Sequence, residues 1–209
     1  MKERPVIFNG EMVRAILDGR KTQTRRVIAN VGSDNCIPLQ KPTKTKDGIF
    51  THVMDAPGHG LCPFGQVGDR LWVREAYQGP LFNFDQMETY LEDTSKFERP
   101  EFCEYRADGG KTPEYYDADD NLRYGWKPSI HMPRWASRIT LEITAVRVER
   151  LNDISEEDAR AEGAPTELCI IGEKHYMGFR TLWKSIYGEE SWSANPWVWV
   201  IEFRRVGGA

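Results

Sequence analysis

One alternating apolar run constrains the fold of this chain more than any other feature. Between residues 138 and 150, apolar side chains alternate in one phase and then in the other, namely Ile139, Leu141 and Ile143 followed by Val146 and Val148. Successive side chains of a strand point to opposite faces, so a slip of one residue predicts a bulge near Thr144-Ala145, or two strands joined by a bend. A small barrel needs such a bend at a corner, and the run therefore indicates a curved sheet.

Spacing and helix-ending residues predict the remaining elements. They are a helix over 11–18 closed by Gly19, a strand over 68–77, a helix opened by Ser155 and ended by Gly163, a helix over about 177–187 followed by Gly188, and a strand over 197–205. In the last strand we expect the three aromatic residues and Ile201 to share one face. The order has no regular βαβ rhythm, so we predict an α+β fold built on a bent, mostly antiparallel sheet.

Two excursions interrupt this pattern. Residues 30–67 are rich in Gly, Pro, Asp and Lys, which predicts a long loop. Residues 80–120 hold twelve acidic and four basic side chains, so the stretch 79–125 is interpreted as an acidic insertion with one short strand at 104–107. We predict that both belong to a single domain spanning residues 1–206.

Composition excludes several classes of protein. The chain has 209 residues, of which 40% are hydrophobic, so it can bury a sizeable core and is not a disordered chain. No apolar run approaches the length of about 18 residues that a membrane-spanning helix needs, and the N-terminal apolar run of 6–8 is too short for a signal peptide. The four cysteines are scattered without a CxxC pair, so we expect reduced thiols in a cytoplasmic protein.

The densest chemical feature is the segment 19–26, which holds four cations and two threonines. If the segment is extended, one face carries Lys21, Gln23 and Arg25. In a turn, Lys21 and Thr24 could converge, and a desolvated lysine can activate a weak nucleophile. Arg25 and Arg26 are suited to lowering the pKa of that lysine or to holding a phosphate. The alternative is a solvated basic loop, which is what charge runs usually form.

Further candidates lie on the strand 68–77 and in the loop 126–138. Glu75 shares a face with three apolar side chains, where a carboxylate is costly unless it is paired, so it is either a structural ion-pair partner or a ligand contact. Trp72 lies on the opposite face and could stack on a base or simply pack. His131 stands on an irregular path between prolines, which suits ligand recognition, although a lone histidine is more often a structural residue.

No metal or cofactor is predicted. His52, His59 and Cys62 lie within eleven residues, with Cys36 upstream, but no pair has the spacing of a zinc finger. The sequence also has no glycine-rich phosphate loop and no nucleophile elbow.

Four separate blocks carry a family resemblance. They are Gly19-Arg20-Lys21-Thr22-x-Thr24-x-Arg26, Gly68-Asp69-Arg70-Leu71-Trp72-Val73-Arg74-Glu75, Trp126-Lys127-Pro128-Ser129-Ile130-His131-Met132-Pro133-Arg134 and Asn195-Pro196-Trp197-Val198-Trp199-Val200. The first resembles the signature of the ASCH domain family of the PUA-like superfamily, and the other three resemble the larger ASCH proteins of phages and prophages. The resemblance covers nearly the whole chain apart from the two excursions.

The resemblance implies a small bent β-barrel with flanking helices and a cleft beside the Gly-x-Lys-Thr loop. Small bacterial members include amidohydrolases of N4-acetylcytidine, in which a Lys and a Thr of this loop act with a Glu that follows the bulged strand. Those positions correspond to Lys21, Thr24 and Glu162. We expect Thr24 to attack the acyl carbonyl, Lys21 to take its proton, and Glu162 to orient Lys21 or the leaving amine, with an activated water as the alternative nucleophile.

The expected partner is a small nucleoside or nucleobase rather than a membrane. The residues expected to contact this substrate are Arg26, Trp72, Glu75, His131 and Asn195. Because the family was proposed to bind RNA, a binding module for single-stranded or structured RNA without turnover is the alternative. A ribonuclease that uses His131 with Lys21 is the less favoured one. This chain departs from the small family members in its size and in its acidic insertion.

Overall fold

The computed structural model describes residues 1–41, 43–44, 46–116 and 121–207. The strands of these residues, in chain order, are β1 (Glu3–Ile7), β2 (Gln23–Val27), β3 (Cys36–Gln40), β4 (Ile49–His52), β5 (Arg70–Arg74), β6 (Tyr77–Gln78), β7 (Glu104–Tyr105), β8 (Glu114–Tyr116), β9 (Leu122–Tyr124), β10 (Thr140–Arg150), β11 (Glu167–Cys169), β12 (Gly172–Lys174) and β13 (Trp197–Arg205).

The α-helices of the same residues are α1 (Gly10–Leu17), α2 (Met87–Glu92), α3 (Glu156–Ala161), α4 (His175–Tyr187) and α5 (Glu189–Ser193). Short 3-10 helices cover Val53–His59, Phe84–Gln86, Thr94–Phe97, Pro100–Phe102, Arg106–Asp108, Ser129–His131, Arg134–Ala136 and Leu151–Asp153. Within the described ranges, every helix is too short or too polar to cross a membrane. The mixture of strands and helices confirms the α+β class.

The chain divides into two compact units. The first unit contains residues 1–2, 18–70 and 142–204, and the second contains residues 3–17, 71–141 and 205–209.

In the first unit, β10, β13 and β2 are neighbouring strands in that order, and β13 pairs antiparallel with β2. The helices α3, α4 and α5 contribute to one apolar cluster with this sheet, which contains Leu151, Ile154, Ala159, Ala164, Phe179, Trp183, Trp192, Val198 and Val200. The aromatic face predicted for β13 is buried at Trp199, Ile201 and Phe203. The opposite face is buried as well, because Val198 and Val200 belong to this cluster.

The helix α3 begins and ends where its sequence predicts. The Ser155 side chain accepts a hydrogen bond from the backbone N–H of Asp158 at 3.0 Å, which caps the first turn. Gly163 has a φ of 73°, a left-handed conformation that glycine adopts without strain, and it stops the helix after Glu162. The local sequence thereby positions the Glu162 carboxylate immediately after a short, rigid helix.

In the second unit, β1 and β5 are neighbouring strands, and the buried face of residues 71–77 follows the predicted alternation. Leu71, Val73, Glu75 and Tyr77 are all buried. A separate apolar cluster contains Tyr77, Tyr105, Met132 and Ala136. A carboxylate therefore lies on an apolar face, as the sequence indicates.

Several expectations are wrong in detail. The strand predicted over 68–77 is two shorter strands, β5 and β6, and the predicted loop 30–67 contains the hairpin of β3 with β4. The acidic insertion contains α2 and the hairpin of β8 with β9, and only residues 104–105 of its predicted strand are extended. In β10, Ile143 and then Val148 are buried, which confirms the change of phase. The strands of the described ranges do not close into a barrel.

Candidate active site

The centre of the candidate site is an ion pair between Lys21 and Glu162 in the first unit. The Lys21 Nζ donates to Glu162 Oε2 at 2.8 Å and to the Glu162 backbone oxygen at 2.9 Å. Only 1% of the Lys21 side chain and 4% of the Glu162 side chain are exposed. Burial on this scale removes most of the hydration of both ions, so their mutual contact and further hydrogen bonds must replace it.

The backbone fixes this pair from both sides. Lys21 and Glu162 form an isolated antiparallel bridge. The next residue, Thr22, donates its N–H to the Ala161 oxygen at 2.8 Å, and its own carbonyl accepts from the Phe203 N–H at 2.8 Å. The segment before β2 is therefore held between the end of α3 and β13, which limits the positions open to the Lys21 amine.

Arg25 binds three carboxylates around this pair. Its Nη1 donates to Glu162 Oε1 at 3.2 Å, and its Nη2 donates to Glu149 Oε2 at 2.9 Å and to Asp158 Oδ2 at 3.2 Å. The Arg25 side chain is 0% exposed. Because Gln23 Nε2 also donates to the Asp158 backbone oxygen at 3.0 Å, the predicted shared face of Lys21, Gln23 and Arg25 is confirmed.

A second arginine extends the network outward. Arg147 donates to Asp158 Oδ1 at 2.9 Å and also binds Glu149 and Glu202. We call these seven residues the charge network: Lys21, Arg25, Arg147, Glu149, Asp158, Glu162 and Glu202. The interpretation of segment 19–26 as a solvated loop is therefore wrong for its inward-facing residues, which are buried and paired.

Burial and neighbouring charges set the proton affinity of two members. Desolvation is the largest influence on Lys21 and lowers its pKa. Glu162 opposes this shift, whereas the cations Arg26 and Arg25 add to it, and the net pKa lies below the ordinary lysine value. For Asp158, burial alone would raise the pKa, but Arg25 and Arg147 outweigh it and the net pKa is lowered.

Three other predicted residues of the first unit lie near this framework. Thr24 is buried on β2 opposite Ile201, and strand alternation places its side chain on the face away from Gln23 and Arg25. The Arg26 guanidinium lies 5.9 Å from the centre of the Phe64 ring. The Asn195 Oδ1 accepts from the Asn152 N–H at 2.8 Å, which gives this side chain a local backbone contact.

The predicted residues of the second unit have partners of their own. Glu75 forms a two-point pair with Arg138, at 3.0 Å to Nε and 3.1 Å to Nη2, and Asp108 binds the same guanidinium. Desolvation raises the pKa of Glu75, and Arg138 counteracts part of that shift. The ring of Trp72 has arginine side chains over it, and the His131 side chain is exposed while its backbone oxygen accepts from a tyrosine hydroxyl.

A cavity of about 660 Å³ borders the Lys21–Glu162 bridge. Its lining residues are Gly19, Arg20, Thr22, Glu157, Arg160, Ala161, Gly163, Ala164, Pro165, Thr166 and His175. These include the chain neighbours of Lys21 and Glu162 but not the two charged residues themselves.

Sequence reasoning missed Glu149, Asp158 and Arg147. Asp158 sits in the acidic first turn of α3, where a carboxylate is expected for helix-dipole reasons alone. Arg147 and Glu149 share one face of β10, as their spacing of two requires, and this alternation is the only local signal of an ionic face on that strand.

Within the described residues, no group of three or more His, Cys, Asp or Glu side chains could hold a metal ion. Comparison with protein-family models, with curated proteins and with solved structures finds no match to this chain.

Proposed function

We propose that this chain is an ASCH-type amidohydrolase of PUA-like ancestry that removes the acyl group from N4-acylated cytosine or cytidine, with Lys21 and Glu162 at its centre. The observation that carries the proposal is the enclosed Lys21–Glu162 pair, with its 2.8 Å contact and its lowered lysine pKa. Surface pairs of this chain have contacts as short, such as Lys184–Glu189 at 2.6 Å, but they are exposed, whereas the Lys21–Glu162 pair is enclosed. A buried lysine with a lowered pKa and a specific carboxylate partner is typical of groups that transfer protons.

The proposed chemistry is amide hydrolysis. A nucleophilic oxygen attacks the acyl carbonyl while Lys21, in its neutral form, accepts the proton that this oxygen loses. The C–N bond to the cytosine N4 then breaks, and the nitrogen takes a proton from the lysine–glutamate pair and leaves as the free amine. With water as the nucleophile the other product is the carboxylate, whereas with Thr24 it is an acyl ester of Thr24 that a water must hydrolyse to release the carboxylate and restore the hydroxyl. Glu162 orients the Lys21 amine throughout, because Lys21 donates to both its side chain and its backbone oxygen.

Two nucleophiles are compatible with these roles. The Thr24 hydroxyl is the one implied by the family resemblance, and water is the other. The alternation along β2, with Thr24 on the face away from Arg25, favours a water held by Lys21. Thr24→Val separates the two, because it removes the hydroxyl and keeps the volume. A nucleophilic Thr24 requires loss of turnover in this variant, whereas a water mechanism predicts that turnover persists.

Substrate contacts are proposed for the first unit alone. Arg26 is half-buried and shares a face of β2 with Thr24, and its charge lowers the pKa of Lys21, so it is the favoured candidate. The Asn195 oxygen already accepts a backbone hydrogen bond, and the Glu75 oxygens are both paired with Arg138, so these two are weaker candidates for reading a base.

The binding-module alternative has less support. Of the cations in segment 19–26, Lys21 and Arg25 are buried against carboxylates, and the exposed Arg20 pairs with Asp18 at 2.9 Å. Cations that neutralise internal carboxylates contribute little to phosphate binding, which depends on available positive charge.

The experiment is an absorbance assay of N4-acetylcytidine with the purified protein, with Lys21→Met and Glu162→Gln as the test variants. Arg20→Gln is the matched control, because it removes a neighbouring but exposed cation. We expect wild type and Arg20→Gln to form cytidine at similar rates. The rate of Lys21→Met should be lower by about 100-fold or more, which is the usual contribution of a general base. Turnover by folded Lys21→Met within about tenfold of the wild-type rate contradicts the proposal.

A further inference from the structure

Arg25 is the one buried cation of the charge network that contacts the Lys21–Glu162 pair directly without taking part in the proposed proton transfer. Its guanidinium binds Glu162 on the oxygen that Lys21 leaves unused: Lys21 binds Oε2, and Arg25 binds Oε1. The carboxylate of Glu162 is thereby shared between an amine and a guanidinium. The sequence analysis named Arg25 as suited to lowering the Lys21 pKa, but it did not predict that the two side chains share one carboxylate.

We propose that Arg25 is a positioning residue that keeps Lys21 ready to act as a base, by drawing the Glu162 carboxylate toward itself and away from an exclusive pair with the lysine. The proposal deepens the function proposed above, and its consequence for turnover rests on that function. Its consequence for the protonation of Lys21 is independent of that function.

Both electrostatic effects of Arg25 on Lys21 have the same sign. The guanidinium neutralises part of the Glu162 charge, which weakens the attraction that holds a proton on Lys21. It also repels the lysine ammonium directly, as Arg26 does. The charged groups facing Lys21 are therefore Glu162, Arg25 and Arg26, and loss of Arg25 raises the proton affinity of the amine by both routes.

A merely structural role for Arg25 predicts something different. Arg25 also binds Glu149 and Asp158, so its loss could act through those two carboxylates rather than through Glu162. Arg147 binds the same two carboxylates. Its third carboxylate partner is Glu202, whereas the third partner of Arg25 is Glu162. Arg147 is therefore a matched control for the outer half of the network.

Removal of Arg25 leaves each of its carboxylates with another cation. Glu162 keeps Lys21, and both Glu149 and Asp158 keep Arg147. The neighbouring Phe179 ring, 6.0 Å from the guanidinium, offers an apolar surface to a replacement side chain. For these reasons we expect both Arg25→Gln and Arg25→Met to fold.

The test is titration of the Lys21 amine by carbon-13 NMR of labelled lysine, with the Lys21 signal assigned by its absence in Lys21→Met. The panel is wild type, Arg25→Gln, Arg25→Met and Arg147→Gln. We expect the Lys21 pKa to rise by about one unit or more in both Arg25 variants, which means about a tenfold smaller neutral fraction near neutral pH. In Arg147→Gln it should stay close to the wild-type value.

The pH dependence of kcat for N4-acetylcytidine provides the second readout. If neutral Lys21 is the base, the rising limb of the pH profile of kcat moves to higher pH in the Arg25 variants. The size of this move should equal the change in the Lys21 pKa that the NMR titration measures. A wild-type Lys21 that titrates at the ordinary lysine value, or equal shifts in the Arg25 and Arg147 variants, would overturn the inference. If wild type shows no turnover, the proposed function fails while the titration still tests Arg25.

Discussion

Lys21 and Glu162 should contribute unequally to stability, although they form a single ion pair. Lys21→Met removes the 2.8 Å contact to the Glu162 carboxylate and the 2.9 Å contact to the Glu162 backbone oxygen, and it leaves the carboxylate with Arg25. Each charge-assisted hydrogen bond contributes about 1.5–3 kcal/mol, but the variant no longer buries an ammonium and the apolar Met fills much of the space, so we expect a net loss of about 2 kcal/mol. No ion is left without a partner in this variant.

Glu162→Gln has the larger cost because it leaves a buried ammonium. It removes the carboxylate contacts to both Lys21 and Arg25, so that Lys21 loses its counter-ion while facing Arg25 and Arg26. Breaking a buried pair in this way costs about 3–5 kcal/mol. At pH 7 we therefore expect Glu162→Gln to be less stable than Lys21→Met by about 2 kcal/mol.

The pH dependence of this difference provides a further check. The folded-state pKa of Lys21 already lies below its unfolded value, so the unfolded chain binds more protons and stability rises with pH between those two values. In Glu162→Gln the folded-state pKa of Lys21 falls further. The loss of unfolding free energy relative to wild type therefore shrinks as pH increases from 7 toward about 10. Urea unfolding of the three proteins across this range is the assay. Equal losses, or a deficit that grows with pH, would refute the reasoning.

Two further predictions concern packing and the second unit. A Cβ on Gly178 would lie 1.9 Å from the Pro165 backbone oxygen, so Gly178→Ala should lower the unfolding free energy by about 1–3 kcal/mol, the usual cost of overpacking, and an unchanged urea midpoint would contradict this. Arg138→Met leaves the carboxylate of Glu75, itself 2% exposed, without its two-point partner, which costs about 3–5 kcal/mol near pH 8. Because the folded-state pKa of Glu75 is raised, Glu75 can be protonated at pH 5, and the loss of unfolding free energy should be smaller there than at pH 8. Urea unfolding curves that give the same loss at both pH values would contradict this.

Local signals predicted the elements whose ends are set by single residues. Ser155 and Gly163 mark the two ends of α3, and Gly188 follows α4 at Tyr187, because capping depends on the residue at the end itself. The phase change in β10 was also readable, since side-chain alternation is a property of the strand alone.

The excursions were harder to predict for a physical reason. The strands β3, β4, β8 and β9 have only three to five residues each, and Pro38 interrupts β3, so they are too short for side-chain alternation to be recognised. The Gly, Pro, Asp and Lys residues around them favour a loop, and strand pairing is decided by partners rather than by propensity.

The candidate site shows the same division between local and distant information. The inward face of Lys21, Gln23 and Arg25 follows from alternation over five residues. Their partner Glu162 lies 141 residues from Lys21, and Asp158 lies 133 residues from Arg25, so these contacts required the tertiary structure. The segment resembled a solvated charge run because composition alone does not reveal whether carboxylates elsewhere in the chain will neutralise it.

The most direct test of the central claim is to measure cytidine and acetate together after incubation of N4-acetylcytidine with the wild-type protein and with Lys21→Met. The account predicts that wild type releases the two products in equal amounts, and that Lys21→Met, shown to be folded by its urea unfolding curve, releases both at least about 100-fold more slowly. Absence of products with folded wild-type protein, or equal release by both proteins, would contradict the account.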